Sequence, residues 1–107
     1  MKFDESLKMD AESGIFASIQ NQFKYVSRER VKRGQTLFEF NSSTGDIIPA
    51  VVLQEKGSTD LKGKLIAGTK RVNKKKDCVY FWALNQRNAE RKIKQAVLEY
   101  QTKTKSL

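Results

Sequence analysis

The chain has 107 residues, of which 38% are hydrophobic and 31% charged, and its formal net charge is +9. This balance fits one folded domain of modest size and argues against a chain that is disordered throughout. The absence of histidine excludes histidine-dependent catalytic triads and histidine-based zinc sites, and a single cysteine excludes an internal disulfide.

The N-terminal third is predicted to contain a polar arm followed by a helix. Residues 1–9 form the arm, and residues 10–26 form the helix, with Asp10 as its N-cap. Gly14 weakens this helix, and residues 15–19 are also compatible with a strand. The helix is preferred because apolar residues recur at helical spacing. These residues are Ile15, Ile19, Phe23 and Val26.

Four strands follow in the middle of the chain. They are predicted over residues 35–41, 47–54, 62–72 and 78–84. The first alternates apolar and polar residues, and the last is rich in aromatic and β-branched residues, which suit a pleated sheet. The second is apolar on both faces, as in a central strand, but Pro49 cannot donate to a ladder and favours an edge or a bulge. Gly63 and Gly68 are predicted bend or bulge points of the third.

The chain is predicted to close with a helix over residues 86–101, with Asn85 as its N-cap. The apolar stripe of this helix consists of Ala89, Ile93, Ala96, Val97 and Tyr100. Residues 102–107 are expected to be a polar arm. The sum is a single α+β domain over residues 1–107, with an N-terminal helix, a four-stranded mostly antiparallel sheet, and a C-terminal helix packed on one face.

Positive charge is concentrated in the C-terminal part of the chain. Residues 62–107 contain thirteen basic and three acidic residues, whereas the preceding residues are nearly balanced. Such asymmetry favours a surface that faces a polyanion, although lysine-rich surfaces often serve only to keep a protein in solution. Three basic elements are predicted to converge on phosphates. They are Lys70, Arg71, Lys74, Lys75 and Lys76 on the third strand and its loop, Arg87, Arg91 and Lys94 on the last helix, and Arg28, Arg30 and Arg33 in the 28–33 connector.

Two further features could contribute to binding. Tyr80 and Trp82 share one face of the last strand, where they either stack on unpaired bases or belong to the core. Leu98 lies among the basic residues of the last helix and is a candidate protein contact, although a single exposed leucine is ordinary. The strand does not match the RNP1 motif of RNA-recognition domains. Cys78 is expected to be a small buried residue.

The pattern as a whole predicts a binding protein and not an enzyme, with no cofactor and no metal site. The preferred function is a nucleic-acid-binding module, mainly phosphate-directed. A structural subunit of a viral particle or ribonucleoprotein is the alternative, and an inhibitor or adaptor of an acidic protein is a third. No segment approaches the roughly 18 apolar residues of a membrane helix, and no signal-peptide pattern is present. The expected location is therefore the cytoplasm, or the interior of a particle or virion.

Overall fold

The computed structural model describes residues 7–23, 32, 34–63 and 65–105, and it confirms the α+β class. Helices and strands occur close to where the sequence predicts them, except that a strand extends through residues 55–59, beyond the predicted strand over residues 47–54. The elements in chain order are α1 (Gly14–Phe23), β1 (Thr36–Asn41), β2 (Ile47–Pro49), β3 (Val52–Thr59), β4 (Leu65–Val72), β5 (Cys78–Ala83) and α2 (Gln86–Lys105).

The strands form two separate antiparallel sheets, where the sequence predicts one sheet of four strands. One sheet has the order β2-β1-β5, and the other is a two-stranded ribbon of β3 and β4. The predicted strand over residues 47–54 is divided: β2 pairs with β1, and the chain then turns away and pairs with β4 as β3. The Ala50 N–H donates one more ladder hydrogen bond, to the Leu37 carbonyl, before the chain enters the ribbon at Val52. Pro49 therefore lies on an edge strand, one of the two positions its chemistry favours.

Both helices pack on one face of the three-stranded sheet. The sheet contributes alternate residues of β1 and β5, and the helices contribute their apolar stripes. Phe16 and Ile19 of α1 and Ile93 of α2 are completely buried there. Each such side chain stabilises the fold by about 1.5–3 kcal/mol through burial alone. The predicted packing of the C-terminal helix on one face is confirmed.

The opposite face of this sheet is covered by the base of the ribbon. Val72 of β4 is buried against Cys78, Tyr80 and Trp82 of β5, with Val52 of β3 half-buried beside them. Beyond this base the ribbon is exposed along most of β3. The described residues therefore span 51 Å in the longest dimension and only 26 and 24 Å in the others.

The helix ends follow side-chain chemistry, with one correction. The Asn85 side chain accepts from the Asn88 N–H at 2.8 Å, which confirms Asn85 as the N-cap of α2. Ser13, and not Asp10, is the N-cap of α1, because its Oγ accepts from the Phe16 N–H at 3.3 Å. Asp10 caps only the turn before the helix. The sequence signal was ambiguous because both residue types favour this position.

Part of each predicted arm belongs to the folded body, whereas residues 1–6, 106 and 107 lie outside the described residues. Leu7 is buried in the core, and the Met9 N–H donates to the Ser42 carbonyl at 2.8 Å, so residues 7–9 belong to the folded body. Helix α2 continues to Lys105, four residues past its predicted end. Residues 102–105 contain neither glycine nor proline, so no strong helix breaker stops the helix there.

Candidate nucleic-acid interface

Helix α2 presents a basic face on the side opposite its buried stripe. The α2 basic face consists of Arg87, Arg91 and Lys94, which are exposed and line one shallow surface depression. Burial of Ala89 and Ile93 fixes the rotation of the helix about its axis. At 3.6 residues per turn, that rotation turns the three cations away from the core. The structure therefore brings together the helix residues predicted from the sequence.

One carboxylate and one leucine share this depression. Glu90 is half-buried, and its Oε2 accepts from Gln86 Nε2 at 3.2 Å. Gln86 also donates to the carbonyl of Ile47, which ties this turn of α2 to the edge strand. Leu98 is 56% exposed at the other end of the depression. Three cations against one carboxylate leave the depression net positive.

The lysine loop, residues 73–77, holds the second set of exposed cations. Lys74, Lys75 and Lys76 are all exposed, as a phosphate-binding role requires. The loop has a defined shape, because the Lys75 N–H donates to the Tyr80 hydroxyl at 3.1 Å. The Tyr80 hydroxyl also lies 2.9 Å from the Asn73 carbonyl, so one side chain holds the first and third residues of the loop.

A buried carboxylate lies under the lysine loop. Glu39 of β1 is only 6% exposed, and its Oε1 accepts from the Tyr80 hydroxyl at 2.9 Å. Its Oε2 lies 3.6 Å from Lys75 Nζ. Burial raises the pKa of Tyr80 to about 12, so the phenol stays a neutral donor. Lys75 is thus the counterion of Glu39, which leaves Lys74 and Lys76 as the loop's uncommitted ammonium groups.

The far end of the loop is anchored to the β1–β2 turn. Ser43 Oγ donates to Asp77 Oδ2 at 2.9 Å, and this bond lowers the pKa of Asp77. Ser42 donates to the Asp77 carbonyl from both its N–H and its Oγ. Next to it, burial raises the pKa of the Cys78 thiol to about 12, with further increases from the charges of Glu39 and Asp77. Cys78 is free and buried, as expected, and its raised pKa favours the protonated thiol at neutral pH.

Phe23, at the end of α1, lies between the two basic elements. It lines one depression together with Lys74 and Lys75, and a second together with Arg91 and Lys92. The lysine loop and the α2 basic face therefore border the same end of α1 from two sides. Two of the three basic elements named from the sequence therefore lie near one another, and their convergence on phosphates stays a prediction. The third element is not tested, because Arg28, Arg30 and Arg33 lie outside the described residues.

Lys70 and Arg71 are separated by the alternation of β4. Lys70 points towards the body, where its Nζ lies 3.5 Å from Glu55 Oε1 and 5.7 Å from the centre of the Trp82 ring. Its side chain is 17% exposed. The prediction that Lys70 binds phosphate is therefore corrected to a structural role, because its ammonium group is mostly buried and is paired with Glu55. Arg71 is exposed on the other face of the ribbon.

Tyr80 and Trp82 do not form a stacking platform. Both rings are buried, because the base of the ribbon covers the sheet face that a four-stranded sheet would have left open. The core interpretation of these two residues is the correct one. Lys92, which the sequence prediction omits, has a related structural role: its Nζ donates to the Trp82 carbonyl at 2.7 Å.

Comparison with family models, with curated proteins and with solved structures found no match to this chain. Within the described ranges, no helix is both long and apolar enough to cross a membrane. Among those same residues, no cluster of three or more acidic or sulfur side chains has an arrangement that could hold a metal ion.

Proposed function

We propose that this chain is a non-enzymatic nucleic-acid-binding module that contacts mainly phosphates. The observation that carries the proposal is the α2 basic face, where three exposed cations on successive turns share one depression. Cations spaced along a rigid helix match the regular repeat of phosphates, and each contact releases condensed counterions. Arg87 and Arg91 add bidentate hydrogen bonding to phosphate oxygens.

The lysine loop supports the same function. Lys74 and Lys76 lie on a loop whose backbone is held by Tyr80 and whose end is anchored by Ser43. A pre-shaped loop loses less conformational entropy on binding than a mobile chain of lysines. Its position beside Phe23 extends the cationic surface past the α2 basic face.

Titration of labelled DNA and RNA at about 50 mM salt, followed by fluorescence anisotropy, tests the proposal. Arg91→Gln is expected to weaken binding by about tenfold, as loss of one charged hydrogen bond implies. Lys103→Gln is the matched control, since it removes one exposed charge from the same helix, about 120° away. Wild-type protein that binds no nucleic acid, or equal loss in both variants, would refute the proposal.

A subunit of a larger assembly is the second candidate function. Its support is the exposure of several large aliphatic side chains. Those in the described residues are Val51, Leu53, Leu61, Ile66, Leu84 and Leu98. Sedimentation at several concentrations tests this candidate. A stable monomer free of nucleic acid would argue against it, and a discrete oligomer disrupted by Leu98→Ser would support it.

A further inference from the structure

The β3–β4 ribbon has two chemically different faces. Its strands pair from Val52 with Val72 outward to Thr59 with Leu65, and paired residues share a face. The inner face carries Val52, Glu55, Gly57, Gly68, Lys70 and Val72, and the Lys70–Glu55 pair neutralises it. The ribbon outer face carries Gln54, Lys56, Ser58, Ala67, Thr69 and Arg71.

The ribbon outer face suits hydrogen bonding to a polyanion. All six of its residues are exposed, two are cationic, three others carry polar side chains, and none is acidic. The cations stand next to polar partners: Arg71 is opposite Gln54, and Lys56 is opposite Thr69. Lys56 is absent from the sequence prediction, although the polar alternation of Gln54, Lys56 and Ser58 is visible in the sequence.

The ribbon also has a twisted shape that is specified by its sequence. Register shifts at Leu53 and Ile66 mark β-bulges, which increase the right-handed twist of a strand pair. Between them Gly57 and Gly68 stand opposite each other with φ of +143° and +140°. A Cβ on Gly68 would lie 1.8 Å from the Lys56 carbonyl oxygen, so only glycine allows the two strands to approach this closely.

From these observations, and resting on the proposed function, we infer that the ribbon outer face enters the major groove of a DNA duplex. Eight residues per strand give a ribbon of about 26 Å, and a two-stranded ribbon fits the roughly 12 Å wide major groove of B-DNA. Arginine and glutamine are the side chains that read guanine and adenine edges there. Residues 51–72 contain no aromatic side chain, so the ribbon lacks the means to stack on single strands.

The ribbon and the lysine loop then have different roles on one ligand. The chain runs from Arg71 through Val72 directly into the lysine loop. Lys74 and Lys76 are exposed at the base of the ribbon. There they contact the phosphates of a duplex that lies along the ribbon outer face. Phosphate contacts fix position, whereas ribbon contacts in the groove discriminate duplex from single strand.

The test compares a labelled DNA duplex of about 20 base pairs, roughly two helical turns, with one of its single strands. Wild-type protein is expected to bind the duplex more tightly. Arg71→Gln and Lys56→Gln are each expected to weaken duplex binding by about tenfold while changing single-strand binding little. Lys70→Gln is the matched control, because it removes the neighbouring charge from the inner face and is expected to leave the duplex preference intact.

The outcomes separate this inference from the proposed function. Duplex binding that Arg91→Gln weakens and the two ribbon variants do not would overturn the groove inference alone. Wild-type protein that binds neither probe would overturn both. Ribbon variants that change the sedimentation of the protein and not its duplex affinity would make the ribbon a protein–protein contact, which also overturns the inference.

Discussion

The hydroxyl of Tyr80 lies 2.9 Å from Glu39 Oε1, in the buried layer between the three-stranded sheet and the base of the ribbon. Because Lys75 approaches the other carboxylate oxygen and donates its N–H to the same hydroxyl, this pair connects the core to the lysine loop. The buried side chains of Glu39 and Tyr80 therefore help to shape the cationic loop above them.

Tyr80→Phe is expected to lower the free energy of unfolding by about 1–3 kcal/mol, because it leaves a buried carboxylate without its donor. Urea denaturation measures the change. Combining the substitution with Glu39→Gln should cost less than the sum of the two single changes, since the two groups are coupled. Strict additivity of the single effects would contradict this coupling.

Asn85→Ala is expected to destabilise the protein by about 0.5–2 kcal/mol, because the Asn88 N–H at the start of α2 loses its acceptor. Asn85→Asp keeps an acceptor oxygen and should preserve stability, which makes it the matched control. Thermal unfolding of both variants decides the point. Equal losses in the two variants would show that capping is not the cause.

Gly68→Ala is expected to open the distal ribbon while leaving the helices and the three-stranded sheet intact. The added methyl group would collide with the backbone of Lys56, and its φ of +140° is strained for any other residue. Hydrogen exchange should show faster exchange in residues 54–69 and unchanged protection in β5. Thr69→Ala, on the ribbon outer face beside it, should leave exchange unaltered. Protection of the ribbon amides in Gly68→Ala equal to that of wild type would contradict the prediction.

The free energy of unfolding is expected to fall as pH rises from about 9 to 12. Folding raises the pKa of Cys78 from 9.0 to about 12 and that of Tyr80 from 10.0 to about 12. Above pH 9 the unfolded chain therefore loses these protons first, which favours unfolding. Cys78→Ala should make the decline between pH 9 and 10 shallower. Urea denaturation across this range checks it, and an unchanged slope would contradict the assigned burial of the thiol.

Periodicity and capping chemistry were sufficient to predict most of the fold. The stripe through Ala89 and Ile93 fixed both the position of α2 and the identity of its basic face, because one helical period determines both sides. Helix α1 was found with its cap displaced from Asp10 to Ser13, since either side chain can accept the same bond.

The division of the strands into two sheets could not be predicted in the same way. Pro49 indicated an edge or a bulge. The separate ribbon, however, depends on the tertiary pairing of β3 with β4, which local sequence patterns do not reveal. The same strand pairing places the base of the ribbon over Tyr80 and Trp82, and it therefore makes these two rings part of the core. It also directs the Lys70 side chain towards the body of the protein and the adjacent Arg71 side chain towards solvent.

The salt dependence of nucleic-acid binding tests the central claim most directly, namely that the α2 basic face contacts phosphates. Affinity for a DNA duplex is measured over a range of salt concentrations in wild type, in Arg87→Gln/Arg91→Gln, and in Lys103→Gln. The account predicts a steep loss of wild-type affinity with salt, and a slope of log affinity against log salt that is shallower by about 1.8 in the double variant alone. A wild-type protein that does not bind at low salt, or a double variant with the wild-type slope, would contradict it.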